Sequence, residues 1–289
     1  METAAPVIVG IDGSTASVRA ALWAADEATA RDTTLHLLCV VDPKRVEDLD
    51  DALTAAHHAI HRAWETIVDS GKHVKLESEI LQGNPVLELT DAARRCALLC
   101  VGHKGAKDSA PMPRGSTANT LARIAPSSVA VVRRQHTHRA LALHRWIVAV
   151  LDESAASHAV LQTALDEAAL REAPVLALTT WSTTHFLETG ATSDVRSSMD
   201  RYLNDSHDDP ADLQVCALPL PDDLATMLEQ SASVEQIFVV GSNRHDLVDQ
   251  LTDDRARKAL RGTNCSILVV HADPSGADAP VEEDSSDFW

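Results

Sequence analysis

The sequence predicts an α/β fold made twice over: two successive parallel sheets, each wrapped by helices. Three observations lead there. Short runs rich in Val, Ile and Leu alternate with longer amphipathic stretches, the mark of βαβ units. Hydrophobic residues make up 45% of the 289 residues but aromatic residues only 3%, so the core must be Ala, Val and Leu, which suits tightly packed helices on a parallel sheet. Finally, the chain repeats itself. Val7-Ile8-Val9-Gly10-Ile11-Asp12-Gly13-Ser14 returns as Ile147-Val148-Ala149-Val150-Leu151-Asp152-Glu153-Ser154, an offset of 140 residues. Leu98 to Gly102 returns at Ile237 to Gly241, and Ser128 to Val132 at Ser266 to Val270, at nearly the same offset.

In the first half the apolar runs place strands at 7–12, 35–41, 74–81, 98–102 and 128–132. Helical patterns fall between them at 17–31, 50–70, 86–95 and 116–125. The second half repeats the strands near 146–151, 175–181, 213–218, 237–241 and 266–270. Right-handed crossovers then put helices on both faces of each sheet. The reading gives a first domain over 1–135, a polar linker over 136–144, a second domain over 145–272, and an acidic, disordered tail over 273–289 that ends in Phe288-Trp289.

One loop carries the chemistry. Gly102-His103-Lys104-Gly105 is followed after nine residues by Gly115-Ser116-Thr117. It joins the apolar run Leu98-Leu99-Cys100-Val101 to an amphipathic stretch. Glycines let backbone N–H groups approach an anion, and a helix N-terminus adds unpaired donors and partial positive charge. Lys104, Lys107 and Arg114 add cations to a chain whose net charge is −18. The expectation is a nucleotide cradle.

That charge argues against nucleic acid or an anionic membrane as partner, since both demand a basic face. No apolar segment reaches the roughly 20 residues that span a bilayer, and no leader is legible, so a cytoplasmic location is expected. Five cysteines with no Cys-x-x-Cys pair fit a reducing compartment. His57 and His61 stand at i, i+4 without a third ligand, and His136 and His138 lie in the linker; both groups read as surface histidines.

On these residues the chain resembles the universal stress proteins, specifically the tandem-domain type of actinobacteria. The family's ATP signature, Gly-x2-Gly-x9-Gly-(Ser/Thr), reads here as Gly102, Gly105, Gly115 and Ser116. Ile11-Asp12-Gly13-Ser14, the run Leu37 to Asp42 and Gly83-Asn84-Pro85 are similar too, while Ser128 stands where the family often has proline. The resemblance implies two Rossmann-like domains of the adenine nucleotide alpha hydrolase type, each a five-stranded parallel sheet of order 3-2-1-4-5, with ATP across the carboxyl ends of the first and fourth strands. It implies that Asp12 and the backbone of Val40 face the adenine and that Gly102 passes the ribose. Gly105, Gly115, Ser116 and Thr117 then hold the phosphates, Ser14 adds a donor, and Mg²⁺ is a candidate companion. The two fifth strands are expected to meet as an internal pseudo-dimer, with a dimer of chains left open.

The second half departs from this pattern. Gly241 survives, but Arg244 stands three residues on in place of glycine, and Asp254 matches Gly115. A carboxylate there repels phosphate, so the expectation is one live site and one dead one, with Asp152 reduced to capping a turn. There is no Gly-x4-Gly-Lys-(Ser/Thr), no Gly-x-Ser-x-Gly elbow and no kinase signature set. The chain therefore reads as an ATP-binding stress or growth regulator. Its alternatives are a slow ATP hydrolase and a nucleotide-independent scaffold for a protein partner.

Overall fold

The computed structural model describes residues 4–103, 117–133, 145–152, 154, 156–179, 215–220, 235–252 and 264–271. In the first half they form β1 (Val7–Ile11), α1 (Thr15–Ala30), β2 (Leu35–Val41), α2 (Leu49–Asp69), β3 (Leu76–Gln82), α3 (Pro85–Ala93), β4 (Leu98–Gly102), α4 (Thr117–Ile124) and β5 (Val129–Val132). The second half follows with β6 (Arg145–Leu151), α5 (Ala156–Arg171), β7 (Val175–Thr179), β8 (Val215–Pro219), β9 (Glu235–Gly241), α6 (His245–Thr252) and β10 (Asn264–Val270).

All ten strands join one sheet of order β3-β2-β1-β4-β5-β10-β9-β6-β7-β8. Each half is parallel within itself, and each has the order 3-2-1-4-5. The halves meet through β5 and β10, which run antiparallel with Val131 opposite Ile267 and Val129 opposite Val269.

Strand alternation sends side chains to two cores. Val7, Val9, Ile11, Leu35, Leu37 and Cys39 face α1 and α2 on one side, where α5 also packs. Ile8, Leu38, Leu99, Val101, Val129 and Val131 face α3, α4 and α6 on the other. The alanines of α1 explain its close approach: Ala20, Ala21, Ala24, Ala25 and Ala28 are all buried. Local caps set the helix starts. The Ser14 hydroxyl oxygen accepts the Ser17 N–H at 3.0 Å, Asp48 accepts from Asp50 and Asp51, and Asn84 accepts from Val86 and Leu87. Gly83-Asn84-Pro85 is thus a helix-start device, with Pro85 in the first turn.

The duplication reaches individual bonds. Asp32 and Glu172, at equivalent positions after α1 and α5, both adopt positive φ, at 47° and 49°. At the seam, the Arg133 N–H donates to Ser266 Oγ and the His271 N–H to Ser128 Oγ, each at 3.2 Å. Ser128, the departure from the family's proline, therefore holds one end of the seam.

Over the seam, α1 and α5 meet through charge. Glu27 pairs with Arg31 on α1, and Glu167 with Arg171 on α5, both at i, i+4. Arg171 crosses to Glu27 at 2.5 Å and Arg31 to Glu167 at 3.8 Å. The Arg171 guanidinium also lies 5.0 Å from the centroid of Trp23. Both glutamates are buried, at 0% and 2% exposure. Burial and the neighbouring Glu27 carboxylate push the Glu167 pKa up to about 8, against the pull of Arg171 and Arg31.

An acid whose pKa is higher in the folded state binds a proton that the unfolded chain releases. Its stabilising effect is complete below the unfolded value of 4.5 and is lost as pH rises towards 8. Unfolding free energy should therefore fall between pH 5 and 8, with Glu167 contributing a slope of up to about 1.4 kcal/mol per pH unit. Glu167→Gln should flatten that slope in urea titrations across this range. A slope unchanged by the substitution would remove Glu167 as its source.

Candidate functional site

Strand order reverses between β1 and β4, so the loops leaving these strands diverge to opposite faces and open a crevice at their carboxyl ends. Asp12 follows β1 directly and is exposed. Its Oδ1 accepts the Ser14 N–H at 2.9 Å, which fixes the carboxylate in a tight turn. Gly13 has φ of +81°, a conformation that favours glycine, and its carbonyl accepts a hydrogen bond from Arg62 of α2. Sequence reasoning missed Arg62, because nothing in the spacing of α2 reveals that residue 62 reaches the β1–α1 turn. Ser14 is spent in part as the cap of α1.

Val40 sits near the end of β2, half-buried and paired with Leu81. Beneath the crevice lies Cys39, paired with Ile11. Burial, and then the charge of Asp12, push its thiol up to about 11. Cys39 is a packing residue, as are Cys100 and Cys265, whose thiols burial also raises.

Gly102 ends β4 opposite Val132 of β5. A Cβ on Gly102 would stand 2.7 Å from the carbonyl carbon of Ala16 and 2.8 Å from the Ser17 nitrogen. The glycine is thus required by the first turn of α1, whatever occupies the crevice. The next residue, His103, donates its N–H to the Val132 carbonyl at 3.2 Å and holds its Nδ1 at 3.2 Å from the same oxygen. Thr117 opens α4, half-buried. The fold therefore brings Asp12, Ser14, Val40 and Gly102 to one edge of the sheet. Gly105, Gly115 and Ser116 lie outside the described residues, as do Lys104, Lys107, Arg114, the linker and the tail. Among the described residues, no group of three or more His, Cys, Asp or Glu could hold a metal ion. No described helix is long and apolar enough to cross a membrane.

The second half rebuilds the same turn. The Ser154 N–H donates to Asp152 Oδ1 at 2.9 Å, matching the Ser14–Asp12 bond. The Asp152 N–H donates to Ser157 Oγ at 2.8 Å, and the Asp12 N–H to Ser17 Oγ at 3.4 Å. Gly241 ends β9 where Gly102 ends β4, and the Ser242 N–H bonds the Val270 carbonyl as His103 bonds Val132.

These surroundings separate the two glycines. At Gly241 a Cβ would meet the tip of the Asn243 side chain, Oδ1 at 2.3 Å, which can rotate away. At Gly102 it meets backbone. Gly102→Ala should cost about 1–3 kcal/mol of stability, the usual range for overpacking. Gly241→Ala should cost distinctly less. Denaturant titrations of the two variants check the order, and an equal or reversed cost would contradict the packing described.

The universal stress protein family model matches residues 4–133. Universal stress protein Rv2624c of Mycobacterium tuberculosis (strain ATCC 25618 / H37Rv) is 33% identical over 270 residues, which cover 91% of this chain and 95% of that protein. Universal stress protein Rv2028c of the same strain is 34% identical over 275 residues, with the same two coverages. The crystal structure of a universal stress protein from Archaeoglobus fulgidus DSM 4304 matches with a TM-score of 0.68 over 94% of this chain and 98% of that one, at 13% identity, a likeness of fold. The two mycobacterial relatives match across both halves, over the span in which the strands, caps and crevice turns are duplicated. This chain belongs to the universal stress protein family.

Proposed function

We propose that the protein binds ATP in its first half and acts as a nucleotide-dependent stress or growth regulator. One observation carries the reading. Asp12 and Gly102 converge at the β1/β4 switch, and from Gly102 the chain continues with the spacing Gly102, Gly105, Gly115, Ser116 into α4. A carboxylate fixed by the Ser14 N–H can accept from an exocyclic amino group, and the backbone at Val40 can read a base edge. Gly102 would pass the ribose. Gly105, Gly115, Ser116 and Thr117 would hold the phosphates with N–H groups and hydroxyls at a helix start, with Ser14 as a further donor. Mg²⁺ would accompany the triphosphate. In this reading residues 1–135 form the competent domain and 145–272 a domain that has lost the cradle. It is located in the cytoplasm.

Nucleotide release from the purified chain tests the proposal. Denatured protein should yield about one ATP per chain, and Gly115→Asp none, because the added carboxylate faces the phosphates. About two per chain would overturn the single-site reading. None from either protein, with no uptake on titration, would favour a nucleotide-free scaffold. Steady conversion of ATP to ADP that Gly115→Asp abolishes would move the protein to the hydrolases.

A further inference from the structure

We infer that the second crevice, between β6 and β9, is closed by the chain's own Arg244 and Asn243, which occupy the space over Asp152 and Gly241 as an internal stand-in for a ligand. The inference takes from the proposed function only the class of ligand, an adenine nucleoside.

Arg244 starts the turn into α6 and is clamped there by Asp246, Nε to Oδ1 at 3.0 Å and Nη2 to Oδ2 at 2.9 Å. This two-point grip fixes the plane of the guanidinium. Its remaining nitrogen, Nη1, is directed at Asp152 and lies 3.7 Å from Oδ2. Both side chains are mostly screened from water, at 20% and 18% exposure. Asp152 is further saturated on its other oxygen by the Ser154 N–H at 2.9 Å and the Ser157 hydroxyl at 2.9 Å. Burial works to raise the Asp152 pKa, yet Ser154, Ser157 and Arg244 together hold it below the usual carboxylate range. The carboxylate is therefore ionised and satisfied from within.

Asn243 closes the other side. Its Nδ2 donates to Ser154 Oγ at 3.0 Å, spanning the crevice from the β9 loop to the β6 loop. Its Oδ1 lies 2.3 Å from where a Cβ on Gly241 would be, so it covers the open face of that glycine. At the matching positions the first half has Lys104 and Gly105. A neutral amino group would have to displace a guanidinium whose full charge attracts the Asp152 carboxylate across 3.7 Å. The clamp excludes a nucleoside even before the missing phosphate cradle is considered.

Adenosine is the suitable probe, because its binding calls for no phosphate cradle. Its binding to the full chain is measured by calorimetry, with wild type and Asn243→Gly/Arg244→Gly side by side. The stoichiometry should rise by one in the double variant. Asp246→Ala removes the anchor of Arg244 but leaves the crevice floor intact, and should show the same new event more weakly. It decides alone if the double variant loses its native circular dichroism. An unchanged stoichiometry in the folded variants, or a second adenosine already bound by wild type, would overturn the clamp. If wild type binds none and the variant binds one, the clamp stands and the ATP reading of the first half falls.

Discussion

Antiparallel pairing of β5 with β10 is the constraint from which the rest of the molecule follows. Every residue of β5 from Val129 to Val132 is buried, so each face of this strand needs a helix layer and each edge a neighbour. Left at the edge of a five-stranded sheet, such a strand would be an open template for association. Here its partner is the equivalent strand of the repeat. Because each half is parallel within itself and α1 and α5 lie on the same face, an antiparallel joint turns one half end for end relative to the other. The strand carboxyl ends, and with them the two crevices, face opposite edges of the sheet. No ligand can bridge them, and each must be built from its own half.

The same joint explains the buried charges. An approximate two-fold relation brings α1 and α5 together with their Glu–Arg pairs at equivalent positions, so each arginine meets the glutamate of the other helix. Leucines in these places would bury as much apolar surface without a desolvation penalty, and buried ion pairs are weak evidence for stability. What the quartet does supply is selectivity of register. Sliding one helix past the other by a turn would part Arg171 from the buried Glu27, and breaking a buried pair costs about 3–5 kcal/mol. On the opposite face the joint is closed by Arg123 of α4 with Asp249 of α6, at 2.8 Å and largely solvated. That pair is worth much less.

Most of the architecture was legible in the sequence, because a parallel sheet announces itself twice: in continuous apolar runs, and in the offset at which those runs recur. The 3-2-1-4-5 order came from the resemblance, and ten paired strands bear it out. Three features were not legible, each for the same reason. Glu27 and Arg31 gave no signal within their own segment, because only the joint between the halves buries them; their recurrence as Glu167 and Arg171 was the available signal. Gly102 read as a point of approach to a ligand, and nothing in its own segment showed that its missing side chain also makes room for the backbone of Ala16 and Ser17. Arg244 read as the absence of a glycine, when its more telling property is what its guanidinium touches. Pattern reasoning finds what a segment does within its own period. It does not find contacts made between segments distant in the chain.

The unequal crevices still depend on each other through the seam. The His103 N–H, just past the end of β4, is tied to the carbonyl of Val132. The next residue, Arg133, is buried, and its side-chain Nη2 donates to the Leu251 carbonyl at 3.0 Å in the last turn of α6. A cation at a helix C-terminus is favourable, and burial sharpens that preference. One end of β5 thus holds the first-half loop on one side and a second-half helix on the other. That helix begins next to Arg244, whose own contacts tie it to Asp152 and β6. The second half contributes to the first crevice by fixing the strand end against which its loop is anchored, a role that requires no ligand of its own. A repeat with a changed loop sequence can persist for this reason alone: removing it would expose an apolar edge, strip Arg171 from the buried Glu27, and free the strand end to which His103 is bonded.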